Sequence, residues 1–344
     1  MIKNNKQYIL VAVLSFLVGA GLVLLLGHHK LFSNTETEDE TTPDVEALRQ
    51  LNLKYKFIQP LLSTTYAQES ESLKWYPFEK KIKDAVNTEI NNNPNVHVGM
   101  YFQDLANSSW FGVNSSDKFV PASLLKLPML ISYYKLRETD PTLFSQKITF
   151  QAGNVDKNQN IDALDAIKSG NTYTVEQLLN AMVIDSDNNA LELLYQYKTD
   201  ALKGIFDDLQ TPFPDNRTDL AQEDFLTPRN MAKFLLVLYN SSYLTRDDSE
   251  AALELLSKTS FKDGLVAGVP SDVPVSHKFG ERKSVDANNN PYEELHDCGI
   301  VYYPMTSYQI CVMTKGNDFG KQGSIIKDIS KIVYDGVAAA NPEK

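Results

Sequence analysis

Ser123 and Lys126 lie three residues apart in the otherwise apolar run KFVPASLLKLPMLISYY, residues 118 to 134. Residues i and i+3 share one face of a helix, so this hydroxyl and this amine can meet. A lysine withdrawn from water loses its proton more readily and can then take one from a serine, leaving an oxygen nucleophile suited to acyl transfer. The competing reading is a lysine whose stem lies along the core while its ammonium reaches water. Local spacing does not choose between the two.

The Ser-x-x-Lys pattern is cheap: it also occurs at Ser115–Lys118, Ser132–Lys135 and Ser324–Lys327. Lys-x-Gly is equally common, at Lys168, Lys262, Lys278 and Lys321. Ser-Asp-Asn occurs once, as Ser186-Asp187-Asn188. Taken singly, that triplet is a helix N-cap run, with Asp187 mainly structural, and Lys278 is a solvated strand lysine. His277 is read as structural.

The elements that must position these residues follow from periodicity. WYPFEKKIKDAVNTEINN places Phe78, Ile82 and Val86 on one helical face, and NVHVGMYFQDL followed by NSSWFGVNSSDKFV reads as a hairpin. Helices are expected over 123–138, 174–184, 188–197, 228–240 and 249–258. Three β-rich runs follow, VPVSHKFGE, HDCGIVYYP and YQICVMTKG, and a last amphipathic helix spans 320–338. Strands at both ends and helices between them imply an α+β fold, with one antiparallel sheet built from both ends of the domain and a central helical lobe. Ser123 then opens a helix after a strand, Ser186 falls between two helices, and Lys278 lies on a strand.

In this order the three motifs match the Ser-x-x-Lys, Ser-Asp-Asn and Lys-Thr-Gly set of penicillin-processing enzymes. The chain from about residue 73 to 340 resembles the penicillin-recognising serine hydrolases, class A β-lactamases in particular. YTVEQLLNAMVIDSDNNA, LTPRNMAKFLLVLY and CGIVYYPMTSYQICVMTKG each stand at the expected place. The resemblance implies an acyl-enzyme at Ser123, with Lys126 as base or proton relay. It implies that Ser186 passes a proton to the leaving nitrogen and that Asn188 holds the substrate's side-chain amide. Lys278, before Gly280, would supply positive potential to the serine relay and to a substrate carboxylate. The backbone N–H groups of Ser123 and Glu281 would form the oxyanion hole. It implies no metal and no cofactor.

Two departures stand out. Phe279 replaces the usual hydroxyl residue of the third motif, so either Arg282 or Lys283 holds a substrate carboxylate or the substrate differs. The glutamate that activates the deacylating water is not identifiable in DDLQTPFPDNRTDLAQEDFLTPRN. Asp215, Asp219 and Glu223 are the candidates there, and Glu223-Asp224 match the closing pair of that loop. Without such a base the acyl-enzyme hydrolyses slowly, which favours a D,D-peptidase-like hydrolase over a true β-lactamase. Readings of another kind are a non-catalytic penicillin-binding sensor and a structural homologue whose cleft Phe279 has closed.

The chain has 344 residues, a formal net charge of −11, 42% hydrophobic and 22% charged residues. That acidic balance excludes the basic stripe of a nucleic-acid binder. Residues 8–27 carry no charge and are long enough to cross a bilayer as a helix. Lys3 and Lys6 before them place residues 1–7 in the cytoplasm as a short tail and the rest outside. The apolar run extends past Gly19, Ala20 and Gly21, so an uncleaved anchor is favoured over a signal peptide. No cysteine near its end suits a lipoprotein anchor. Residues 28–72 read as a polar stalk, interrupted by YKFIQPLL, which is expected to dock on the domain at 73–344. Cys298 and Cys311 lie in adjacent β-rich runs and are read as buried free thiols, a bridge across the hairpin being the alternative.

Overall fold

The computed structural model describes residues 54–59, 76–151, 166–214, 224–285 and 289–342. The expected membrane span, most of the expected stalk, and Asp215, Asp219 and Glu223 lie outside the described residues. Among the described residues no helix is long and apolar enough to cross a membrane.

The helix α1 (Tyr76–Asn92) leads into β1 (His97–Asp104) and β2 (Trp110–Val113). A 3-10 turn, Ala122–Leu125, precedes α2 (Lys126–Thr139), and a small pair of strands, β3 (Lys147–Thr149) and β4 (Thr172–Thr174), follows. The lobe continues with α3 (Val175–Ile184), α4 (Asn188–Tyr197), α5 (Ala201–Asp208), α6 (Pro228–Tyr239) and α7 (Arg246–Ser257). The chain returns through β5 (Val275–Val285), β6 (Pro291–Tyr303) and β7 (Thr306–Gly316) to α8 (Phe319–Ala340). The strands form one antiparallel sheet in the order β2-β1-β7-β6-β5, so both ends of the domain contribute, as expected.

Both faces of the sheet are covered, which is why β6 and β7 read as almost continuous apolar runs. On one face Val98, Phe102, Val312 and Leu295 pack with Ile82 and Val86 of α1 and Ile326, Ile329 and Val333 of α8. On the other, Cys298, Ile300, Cys311 and Met313 join the core of the helical lobe. At the centre of that lobe runs α2, whose first nine residues, Lys126 to Tyr134, are all buried. A helix enclosed on every side needs no polar face, and this one has little amphipathicity. Local signals set the ends of its neighbours. Thr174 caps α3 in a capping box with Gln177, Asp187 caps α4, and Thr227 with Pro228 starts α6.

Three expectations need correction. The helix expected from residue 123 is divided, with Ser123 in the 3-10 turn and the α-helix starting at Lys126. Cys298 and Cys311 are not free thiols: directly opposite each other on β6 and β7, they form a disulfide. The segment 54–59, counted with the stalk, packs into the domain. Phe57 and Ile58 are buried, and the Glu250 carboxylate accepts the backbone N–H groups of Lys56 (2.6 Å), Phe57 (2.8 Å) and Ile58 (3.0 Å). Gln59 adds a backbone bond to the Tyr239 carbonyl at 2.9 Å, and the Phe57 ring meets Tyr302 edge-on.

Candidate active site

Ser123 follows Ala122, whose φ of 49° lies in the left-handed region that residues with a Cβ rarely adopt. That kink turns the chain from its short pairing with residue 226 into the 3-10 turn, leaving the Ser123 side chain half-exposed. Ser186, at φ 57°, holds a second such conformation between α3 and α4. Both candidate hydroxyls thus sit at or beside backbone positions that cost energy and that the surrounding fold must enforce. Asp187 does part of that enforcing: its carboxylate accepts Ala190 N–H and Ile167 N–H, each at 2.9 Å.

Lys126 is fully buried and does not snorkel. Its ammonium donates to Ser123 Oγ (2.7 Å), Ser186 O (2.6 Å), Ser186 Oγ (3.0 Å) and Asn188 Oδ1 (2.6 Å). One amine therefore joins both hydroxyls and the amide of the Ser-Asp-Asn triplet. The other Ser-x-x-Lys pairs are spent locally. Ser132 and Ser324 bond back to the carbonyls of Pro128 and Gly320 in their own helices, and Lys135 pairs with Glu138.

Strand β5 forms the outer edge of the sheet beside this turn. A Cβ at Gly280 would lie 2.9 Å from the Leu124 nitrogen, 3.0 Å from the Pro121 oxygen and 3.1 Å from the Ser123 nitrogen. Only a glycine lets the strand come this close. Glu281 follows it, half-exposed.

Lys278 reaches the same region without joining that network. It is fully buried, its Nζ has no hydrogen-bond partner among the described residues, and it lies 4.0 Å from the centre of the Phe279 ring. Burial first, and then the charge of Lys126, hold its amine well below the usual lysine range. Phe279 belongs to the core on the α8 side of the sheet, 1% exposed and stacked on Phe261 at 4.4 Å. The phenyl ring does not plug the cleft.

His296 escaped the sequence reading. Paired opposite Gly280, it donates from Nε2 to the Val120 carbonyl at 2.9 Å and accepts the Thr314 N–H at Nδ1, 3.1 Å. These two bonds fix a neutral tautomer, and burial lowers its pKa to about 4. The ring thereby ties β6 and β7 to the chain three residues before Ser123. Two places along the same strand face, Glu294 is also buried, and burial pushes its carboxyl up to about 7, opposed by Lys315 at 3.7 Å. His277, read as structural, pairs through Nδ1 with Asp297 at 2.8 Å, both fully buried.

The sequence model of the beta-lactamase enzyme family matches residues 77–337. The chain belongs to that family. It is a serine hydrolase of the β-lactamase fold. The β-lactamase VEB-1 of Pseudomonas aeruginosa is 21% identical over 258 residues, 70% of this chain and 85% of the relative. A class A β-lactamase from Mycobacterium abscessus superposes with a TM-score of 0.65 at 19% identity, over 75% of this chain and 99% of that one. A mutant of PBP-A, solved as an acyl-enzyme complex with penicillin G, gives a TM-score of 0.64 at 19% identity, over 76% and 97%.

Proposed function

We propose that this chain is a membrane-tethered, extracytoplasmic serine acyl hydrolase that forms an acyl-enzyme at Ser123 with a β-lactam or a D-alanyl-peptide-type substrate. The observation that carries the reading is the position of Lys126, within hydrogen-bond distance of both Ser123 Oγ and Ser186 Oγ. In its unprotonated form Lys126 takes the Ser123 proton as Oγ attacks the substrate carbonyl. The oxyanion is held by the amides of Ser123 and Glu281, which the close approach of Gly280 sets side by side. As the carbon–nitrogen bond breaks, the proton passes from Lys126 through Ser186 to the leaving nitrogen, leaving an ester on Ser123. Asn188 orients the acyl side-chain amide, and water then releases the acid and restores the serine. Tethering is supported by the uncharged stretch 8–27 with Lys3 and Lys6 before it.

The full chain in detergent, exposed to penicillin G and weighed intact, is expected to gain one penicilloyl adduct that Ser123→Ala abolishes. Absence of an adduct on the parent protein would sink the reading. A true β-lactamase is the second reading, favoured by the similarity to VEB-1. Many turnovers of nitrocefin per enzyme would support it, whereas one stoichiometric burst supports the peptidase-like form.

A further inference from the structure

The acyl hydrolase reading carries Ser123 chemistry, and on that reading the surroundings of the third motif bear on which substrates enter. We infer that the leaving-group side of this cleft discriminates against a free carboxylate and takes acyl donors whose leaving group is neutral or cationic there, such as an esterified or amidated terminus.

An anion arriving at this end needs a donor or a cation with capacity to spare. Position 279 offers neither, because a phenyl ring stands there and is turned into the far core against Phe261. Lys278 is wholly enclosed and rests on that ring, so its ammonium cannot meet an external group without leaving its cavity. Burial also favours its uncharged form, which weakens the attraction further. Lys126 already serves four oxygens.

The neighbouring cations are engaged elsewhere. Lys283 pairs with Glu293 at 3.0 Å, and Lys315 lies 3.2 Å from Asp224 and 3.7 Å from Glu294. The Arg229 guanidinium covers the Trp110 ring at 4.6 Å. Arg282 stands opposite Glu294 across the ladder and reaches Ser284 at 3.4 Å. Beside the candidate oxyanion amide the chain adds a half-exposed acid, Glu281. A carboxylate brought here loses water, finds no matching donor among the described residues and faces a like charge, and each of these penalises binding. A neutral ester or amide avoids all three.

The test compares two pairs of acyl donors that differ only at this group: penicillin G against its methyl ester, and a peptide ending in D-Ala-D-Ala against its C-terminal amide. The second-order rate of Ser123 acylation is read by intact mass on the full chain in detergent. The neutral member of each pair is expected to react faster by about tenfold or more. Glu281→Gln, which keeps the backbone amide, is expected to speed the free acid and draw the ratio toward one. A free acid that reacts as fast as its neutral partner, or faster, overturns the inference while leaving the acyl-enzyme reading intact. Loss of that faster reaction in Arg282→Ala would make Arg282 the anion's anchor. No adduct from any of the four overturns both.

Discussion

Lys126 meets Ser186 through two atoms of the serine, its carbonyl oxygen at 2.6 Å and its hydroxyl at 3.0 Å, across 60 residues of chain. The left-handed backbone at Ser186 places both oxygens on the same side, toward the amine. A buried cation with these partners is positioned for proton transfer rather than for solubility.

Replacing this lysine tests its role directly. Lys126→Met keeps the length of the stem and removes the amine. Acylation of Ser123 is expected to slow by about 10²–10⁴-fold, the usual contribution of a positioned base. Intact-mass time courses give the rate, and circular dichroism shows whether the fold survives.

Gly280→Ala probes the approach of β5 to the nucleophile turn. The added Cβ would press on the backbone nitrogens of Ser123 and Leu124, which cannot rotate away as a side chain would. Overpacking of this kind costs about 1–3 kcal/mol. The variant is expected to melt earlier and to acylate more slowly than its stability loss explains, because the turn itself is displaced.

Two neighbours on β6 impose opposite pH dependences. His296 has its folded pKa depressed to about 4, so its contribution is present above the ordinary histidine value and is lost as pH falls through 4. Glu294 has its folded pKa raised to about 7, so its contribution is present at low pH and is lost as pH rises through 7. Each is worth at most about 3 kcal/mol, and over roughly pH 4.5–6.5 they offset each other. Glu294→Gln is therefore expected to give a Tm that climbs with pH across that window. His296→Asn should give one that declines. Thermal melts at a series of pH values distinguish the two slopes, and a flat profile in both variants would refute the pairing.

The disulfide between Cys298 and Cys311 closes 13 residues of sequence and is fully buried. A crosslink over so short a loop contributes about 3 kcal/mol by restricting the unfolded chain. The double variant Cys298→Ala, Cys311→Ala is expected to melt earlier than the oxidised parent. Reductant under native conditions should act slowly on the parent, since neither sulfur is exposed.

Much of this arrangement was legible in the residues. The α4 limits, Asn188–Tyr197, coincide with the expected helix because Asp187 is a strong cap and LELLY a clear apolar face. The order of the motifs pointed to Ser123, Lys126 and Ser186, and the structure brings these three together. The helix α5 was missed because ALKGIFDD is short and carries a glycine. Cysteine pairing was not legible, since adjacent strands accommodate thiols and bridges alike until register is known. His296 and Glu294 share a strand face with Cys298, a period-2 pattern visible in the sequence. Their burial depends on the turn at residues 119–120 and on Lys315, contacts that no local pattern reports. The course of Phe279 and Lys278 likewise depends on depth within the sheet rather than on alternation.

The docked segment 54–59 has a practical consequence for anyone who wishes to study the catalytic unit in water. A fragment cut at the first turn of α1 would strip three amides from the Glu250 carboxylate and uncover the apolar seat of Phe57 beside Tyr302. Such a fragment exposes an unpaired acid next to bare hydrophobic surface, a combination that invites self-association. The trim point that respects the architecture lies upstream of Lys54, within the polar residues that precede it.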